Sequence, residues 1–264
     1  MLGREKMENK TQEQIDAEYQ YDNGFQPKEV VLPSNYKLYK KSLGFNLWRN
    51  FVILMTKFAL FFPKHLVWGY KVVGKKYKRH VKGKNKAGAL IVCNHSFTFD
   101  AFSLITALWP SKTYITTLQS NLGFGLVSKY FRSGGAVPIP TDPKLFMRFM
   151  RETPEILKSG KNILVYPEAM LMPYCDHIRK FEKGAFKFAM DGTDTILILC
   201  HTFHKPRGFY KLTRRKKPCI HLNILEPYKI KDMGNKRLTI ETAQQEVHQI
   251  MSDYFNEHSD WFKK

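Results

Sequence analysis

The chain has 264 residues, with 43 Lys and Arg against 23 Asp and Glu and a formal charge of +20. It is long enough to bury a full α/β core, and we expect a polar tail over residues 1–34 followed by a single domain over 35–264. Cys93, Cys175, Cys200 and Cys219 show no repeated spacing, which argues against a disulfide framework and for reduced thiols in a cytoplasmic setting. The first 18 residues lack the apolar core of a signal peptide.

Residues 1–34 carry no periodic apolar face and are expected to be a flexible tail or a loosely draped arm. Residues 43–62 are dominated by Leu, Phe, Trp, Val, Ile and Met, broken by Arg49, Asn50 and Lys57. The uninterrupted apolar core is too short for a spanning helix. An amphipathic helix in the membrane interface fits better, with Trp48 and its aromatic neighbours dipping in and Arg49 and Lys57 at the headgroups. Pro63 is expected to close it.

A strand over 66–73 should follow, then a basic run: residues 71–86 hold eight Lys or Arg and no acid, as residues 205–217 hold seven and no acid. Further strands are expected at 88–92, 113–117, 136–139, 162–165, 195–199 and 219–225, the last of the chain. Helices are expected at 101–108 with Asp100 as N-cap, 123–130, 184–190 and 239–254. Thr141-Asp142-Pro143 opens a further helix, interrupted at Pro154 and ended at Gly160. Strands alternating with helices predict an α/β layered fold, its mixed, largely parallel sheet flanked by helices.

Within that pattern the run Leu90–Cys93 ends at Asn94-His95, and an aspartate, Asp100, returns five residues later. In a helix two side chains five apart lie about 140° from each other, so His95 and Asp100 meet only across a loop. The carboxylate would then accept the Nδ1 proton and leave Nε2 free as a general base. This is the base and orienter of a triad without its own nucleophile; an ordinary strand-end histidine beside a capping aspartate is the alternative.

Asn94-His95-Ser96-Phe97-Thr98-Phe99-Asp100 resembles the N-H-x-x-x-x-D block of the glycerolipid acyltransferases, the family of the 1-acylglycerol-3-phosphate acyltransferases. Gly134-Gly135-Ala136-Val137-Pro138-Ile139-Pro140 sits where that family has its second glycine-led block. Tyr166-Pro167-Glu168 resembles its F-P-E-G block, and Phe181-Glu182-Lys183-Gly184-Ala185-Phe186 matches its F-x-x-G-A-F continuation. The order and spacing of the blocks are more specific than any one of them.

The resemblance implies transfer of a fatty acyl group from acyl-CoA or acyl carrier protein to a lysophospholipid hydroxyl, foremost 1-acylglycerol-3-phosphate, with no acyl-enzyme, no metal and no cofactor beyond the donor. It implies His95 as general base and Asp100 as its orienter, with Glu168 shaping the acceptor pocket beside the block of Gly135. It also implies a protein bound to anionic lipids on the cytoplasmic face of a membrane. Two departures stand out. Ala169 and Met170 replace the small glycine and hydroxyl residue that usually follow the glutamate, and Thr141 stands where the family's phosphate-binding arginine is expected. Lys144, Arg148 and Arg151, spaced on one helix face, are the nearest candidates to replace that charge.

Other readings are weaker. Cys200-His201 with His204, Cys219 and His221 offers metal-ligand types, but adjacent strand residues point to opposite faces. A lipid hydrolase would need an activated nucleophile, and the chain has no G-x-S-x-G elbow. A non-enzymatic membrane- or nucleic-acid-binding protein would explain the charge alone; no nucleic-acid motif accompanies it.

Overall fold

The computed structural model describes residues 28–81, 87–187, 190–214 and 216–263. Most of the polar segment 1–34, part of the first basic run and the end of the expected 184–190 helix lie outside the described residues. The sheet is built around β2 (Leu90–Cys93), whose four residues have no exposed surface. A strand buried on both faces between parallel neighbours calls for a continuous apolar run, which Leu-Ile-Val-Cys supplies. Those neighbours are β5 (Asn162–Val165) and β6 (Thr195–His204).

Beyond β5 the parallel strands β3 (Thr113–Leu118) and β4 (Ala136–Ile139) extend the sheet. On the other side β7 (Cys219–Ile224) pairs antiparallel with β6, and β1 (Lys71–Val73) lies parallel to β7 at the edge. A two-residue strand, β8 (Tyr228–Lys229), pairs with the start of β6. The order is β1-β7-β6-β2-β5-β3-β4, a mixed and mostly parallel sheet.

Seven α-helices among the described residues flank it: α1 (Leu43–Ala59), α2 (Asp100–Leu108), α3 (Leu126–Gly134), α4 (Pro143–Lys158), α5 (Lys183–Lys187), α6 (Tyr210–Thr213) and α7 (Lys236–His258). Helix α1 packs on α2 and α3, α4 packs on β5, and α7 packs on β6.

Several elements depart from the sequence pattern for identifiable reasons. Pro154 does not interrupt α4: Thr153 Oγ1 donates to the Phe149 carbonyl at 2.7 Å and meets the Tyr39 hydroxyl at 2.7 Å, and buried Phe149, Ile156 and Leu157 hold both halves in line. Nor does Pro63 close α1. Proline suits the first turn of a helical segment, and Pro63 opens a π-turn, Pro63–Val67, whose wide ring is closed by Trp68 N–H donating to the Pro63 carbonyl at 2.9 Å. The turn takes the first part of the expected 66–73 strand.

The expected 123–130 helix is a 3₁₀ turn, Gln119–Gly123, followed by α3, because Gly125 at φ 57° breaks the run. β6 continues past residue 199 to His204 because β7 pairs with that extension. β7 ends at Ile224, and β8 follows it as the last strand. Helix α7 begins three residues earlier than expected, at an N-cap where Asn235 Oδ1 accepts from Arg237 and Leu238 N–H.

The helical run Leu43–Val67 is long and apolar enough to cross a membrane. One side faces the protein, where Val52, Ile53 and Thr56 are buried together with Arg49, which therefore does not reach the headgroups as expected. On the other side Leu43, Leu47, Trp48, Phe51, Leu54, Met55, Phe58, Phe61 and Phe62 are exposed.

Candidate active site

The chain leaves β2 through a turn closed by Asp100 N–H donating to the Phe97 carbonyl at 3.0 Å, and α2 starts there. Asp100 is the first residue of α2, not its N-cap; Phe99 holds that place and gives no side-chain cap. The carboxylate turns back across the loop instead. Asp100 Oδ2 lies 2.7 Å from His95 Nδ1 and accepts from Ser96 N–H at 3.0 Å, so strand end and helix start are tied through one oxygen. The other oxygen, Oδ1, accepts from the Tyr166 hydroxyl at 3.1 Å.

Asp100 is fully buried. Burial raises a carboxyl pKa, but the His95 charge and hydrogen bond, the charge of His201 and the Ser96 N–H outweigh it and hold Asp100 below its ordinary value. With Nδ1 turned to the carboxylate, Nε2 is the ring nitrogen left to meet another group. The ring is stacked on Tyr166, with centroids 4.0 Å apart and planes 15° from parallel. It therefore has a fixed plane and a fixed tautomer.

Glu168 is placed differently from its expected role in the acceptor pocket. It lies under the turn, where Oε2 accepts from His95 N–H at 3.2 Å and from Arg179 Nη2 at 3.1 Å, and Oε1 accepts from Arg179 N–H at 3.3 Å. Burial raises its pKa against the opposing pull of Arg179 and the backbone donors. Its two oxygens thus tie the His95 and Arg179 backbones together. The loop beyond it adds two clamps, Met172 N–H to the His95 carbonyl at 3.2 Å and Tyr174 N–H to the Ser96 carbonyl at 3.0 Å. Ala169 takes φ 62°, a left-handed conformation that glycine adopts without the Cβ clash, which accounts for the small residue usual at that position.

His95, Asp100, Tyr166, Pro167, Ala169 and Met170 line one wall of a cavity of about 920 Å³. Its other walls are mostly apolar, with Val52 from α1, Phe102 and Ile105 from α2, Phe131 from α3, and Phe146, Phe149 and Met150 from α4, while Thr116, Thr117, Ser120 and Asn121 add a polar stretch. Among the described residues the other charged side chains on it are Glu182 and Lys187. A base on the wall of an apolar cavity of this size suits one long hydrocarbon chain and one reacting hydroxyl.

The remaining expected residues fall outside this wall. Gly135 terminates α3 at φ 102°, and its carbonyl accepts from Ile115 N–H at 3.1 Å, a backbone task. Thr141 is exposed, its N–H held by Gln119 Oε1 at 3.0 Å. Arg148 donates to the Ser34 carbonyl at 3.0 Å and to the Tyr36 carbonyl, and pairs with Glu152 at 3.4 Å, so it tethers the segment before α1 to α4. Lys144 and Arg151 are exposed and do not line the cavity.

The sequence pattern drew no attention to Tyr166 as a partner of Asp100, or to Arg179, eleven residues beyond Glu168 with no local signal. It also passed over Asn94, whose side chain accepts from His201 N–H at 2.7 Å and donates to the His201 carbonyl at 3.1 Å, bolting β2 to β6 just below the turn. The donor atoms of Cys175, Asp176 and His177 lie within 4.8 Å of one another. They are consecutive residues on a turn outside the cavity lining, without the enclosure of a structural zinc site.

The family model described as Acyltransferase matches residues 70–202. No curated protein sequence matches the chain. Among solved structures, the crystal structure of the 1-acyl-sn-glycerophosphate (LPA) acyltransferase PlsC from Thermotoga maritima is similar, with 18% identity and a TM-score of 0.48 over 79% of this chain and 88% of that one. The family match spans half of the chain and runs from the start of β1 into β6, taking in His95, Asp100, Gly135, Glu168 and the Phe181–Phe186 block in their expected order. The chain belongs to the acyltransferase family, whose glycerolipid members its ordered blocks resemble.

Proposed function

We propose that this protein transfers a fatty acyl chain from a thioester, acyl-CoA or acyl carrier protein, to the hydroxyl of a lysophospholipid at a membrane surface. The observation that carries this reading is the 2.7 Å contact between His95 Nδ1 and Asp100 Oδ2 in the wall of an apolar cavity. Nε2 of His95 takes the proton of the acceptor hydroxyl as its oxygen attacks the thioester carbonyl carbon. The carbonyl opens to a tetrahedral oxyanion, which collapses with loss of the C–S bond. The imidazolium returns its proton to the departing thiolate, and Asp100 stabilises the positive ring in between.

The acceptor itself is the nucleophile, so the chain needs to hold donor and acceptor together, and proximity shares the barrier with base catalysis. Helix α1 supports the membrane part of the reading: Val52 and Thr56 line the cavity while Phe51, Leu54, Met55 and Phe58 on its other side are exposed. With Arg148 committed to backbone carbonyls, an acceptor phosphate would meet Lys187, the lysine on the cavity wall.

The test is an assay of purified protein against a panel of lysolipids with both donor types, following ester product and free thiol together. Transfer requires thiol release that depends on the acceptor and matches ester formation. Thiol release independent of the acceptor would overturn the reading in favour of a hydrolase. Lys187→Ala is expected to raise KM for lysophosphatidic acid while leaving KM for the donor unchanged.

A further inference from the structure

The second acid-free basic run connects β6 to β7, and it carries two apolar side chains that the fold leaves in water. Phe209 is 58% and Leu212 69% exposed. Three residues apart across α6, they lie on one face of a helical turn. The turn is not loose. The Tyr210 hydroxyl donates to the His65 carbonyl, and Arg214, itself buried, donates through Nη1 to the Val67 carbonyl at 3.2 Å. Both acceptors belong to the π-turn that continues α1.

The clamp packs α6 against that turn, and the turn and the residue before it carry further exposed apolar side chains, Phe62 at 63% and Leu66 at 50%. The same surface reaches the catalytic turn, since Trp68, next after the π-turn, stacks on Phe99 with centroids 5.4 Å apart. Along the same run Lys205, Arg207, Lys211, Lys216 and Lys217 are exposed, and Asp260 meets its first part, accepting from Lys205 N–H at 2.9 Å and pairing with the Arg207 side chain at 3.6 Å. An apolar tip within a run of cations and fixed to a rigid support matches an anionic lipid surface, where apolar insertion and headgroup attraction act together.

We propose that residues 205–214 form a second membrane anchor, which inserts Phe209 and Leu212 into an anionic bilayer beside the α1 face and sets the His95 turn at the interface. This rests on the membrane-surface reading above. One anchor leaves a helix free to pivot about its own axis, whereas two at a fixed separation set the orientation of the cavity toward the lipid.

The experiment compares full-length wild type, Phe209→Ser/Leu212→Ser and Phe51→Ser/Phe58→Ser in sedimentation with vesicles of phosphatidylcholine alone and with phosphatidylglycerol added. A polarity-sensitive fluorophore is placed at Leu212→Cys in a Cys175→Ser background. The expected result is binding of wild type that rises with phosphatidylglycerol, about 10- to 100-fold weaker binding for each double variant, and a blue shift of the probe on vesicles, quenched by brominated lipid. The Phe209/Leu212 variant should keep wild-type turnover with a water-soluble short-chain thioester and acceptor. Wild type that fails to bind any vesicle removes the membrane reading and this inference with it. Wild type that binds through the α1 face alone, with full binding by Phe209→Ser/Leu212→Ser and an aqueous probe, overturns only the second anchor and points to a protein partner for the tip.

Discussion

Two histidines at neighbouring strands, His95 beyond β2 and His201 in β6, sit in opposite environments. Both feel the charge of Asp100. His95 is partly exposed, is bonded to the carboxylate at 2.7 Å and lines the cavity. His201 has no exposed surface: Nε2 lies 3.4 Å from the Tyr70 hydroxyl, Nδ1 3.6 Å from Cys93 Sγ, and the Phe97 ring meets it edge-on at 5.2 Å. Burial pushes its pKa down to about 4 despite the nearby carboxylate. A direct bond to Asp100 and a place on the cavity wall give one histidine the geometry that the proposed base needs; enclosure makes the other a piece of core.

The contrast breaks most sharply at His95. His95→Ala should lower kcat by about 10²–10⁴-fold with an unchanged far-UV circular dichroism spectrum, because the ring lies outside the core; near-normal turnover by the folded variant would sink the mechanism. Asp100→Asn should cost up to roughly 10⁴-fold, since an amide no longer holds the tautomer. Steady-state kinetics beside a thermal melt separate that loss from unfolding.

Tyr166→Phe is a finer probe. It keeps the ring stacked on His95 and removes only the donor to Asp100 Oδ1. A hydrogen bond to a charged group is worth about 1.5–3 kcal/mol, so kcat should fall roughly 10-fold or more while KM holds. Equal rates for Tyr and Phe would show that Ser96 N–H and His95 suffice to seat the carboxylate.

The last effect concerns stability, not turnover, and belongs to His201. Its folded pKa, about 4, lies below the ordinary histidine value near 6.5. Between those values the unfolded chain binds a proton that the folded chain refuses, so this contribution is complete above pH 6.5 and is lost as pH falls toward 4, by up to about 3 kcal/mol. Urea melts of wild type and His201→Gln from pH 7 to 4.5 should converge by that amount as the pH drops. Parallel stability curves would mean that folding leaves the His201 pKa where it is in the unfolded chain.

Local chemistry made much of this protein legible in the residues themselves. The apolar run before His95, the five-residue return to Asp100 and the composition of 101–108 define strand, turn and helix, because each depends on neighbours within a few positions. The Asp142-Pro143 helix start is realised as an N-cap, with Asp142 Oδ1 accepting from Leu145 N–H at 2.8 Å. The order of the blocks carried the family for the same reason.

What needed the tertiary structure was every decision made between distant segments. Glu168 as a brace for His95, Tyr166 on Asp100 and the Asn94 bolt to His201 are contacts across 73, 66 and 107 residues. Arg148 has the spacing of a phosphate-binding stripe, yet it is claimed by carbonyls 114 and 112 residues earlier. Pro154 and Pro63 carry the local signal of a break, but buried packing and a wider turn override it. Residue spacing encodes the backbone's short-range preferences; which polar group each side chain satisfies depends on strands that meet only when the sheet closes.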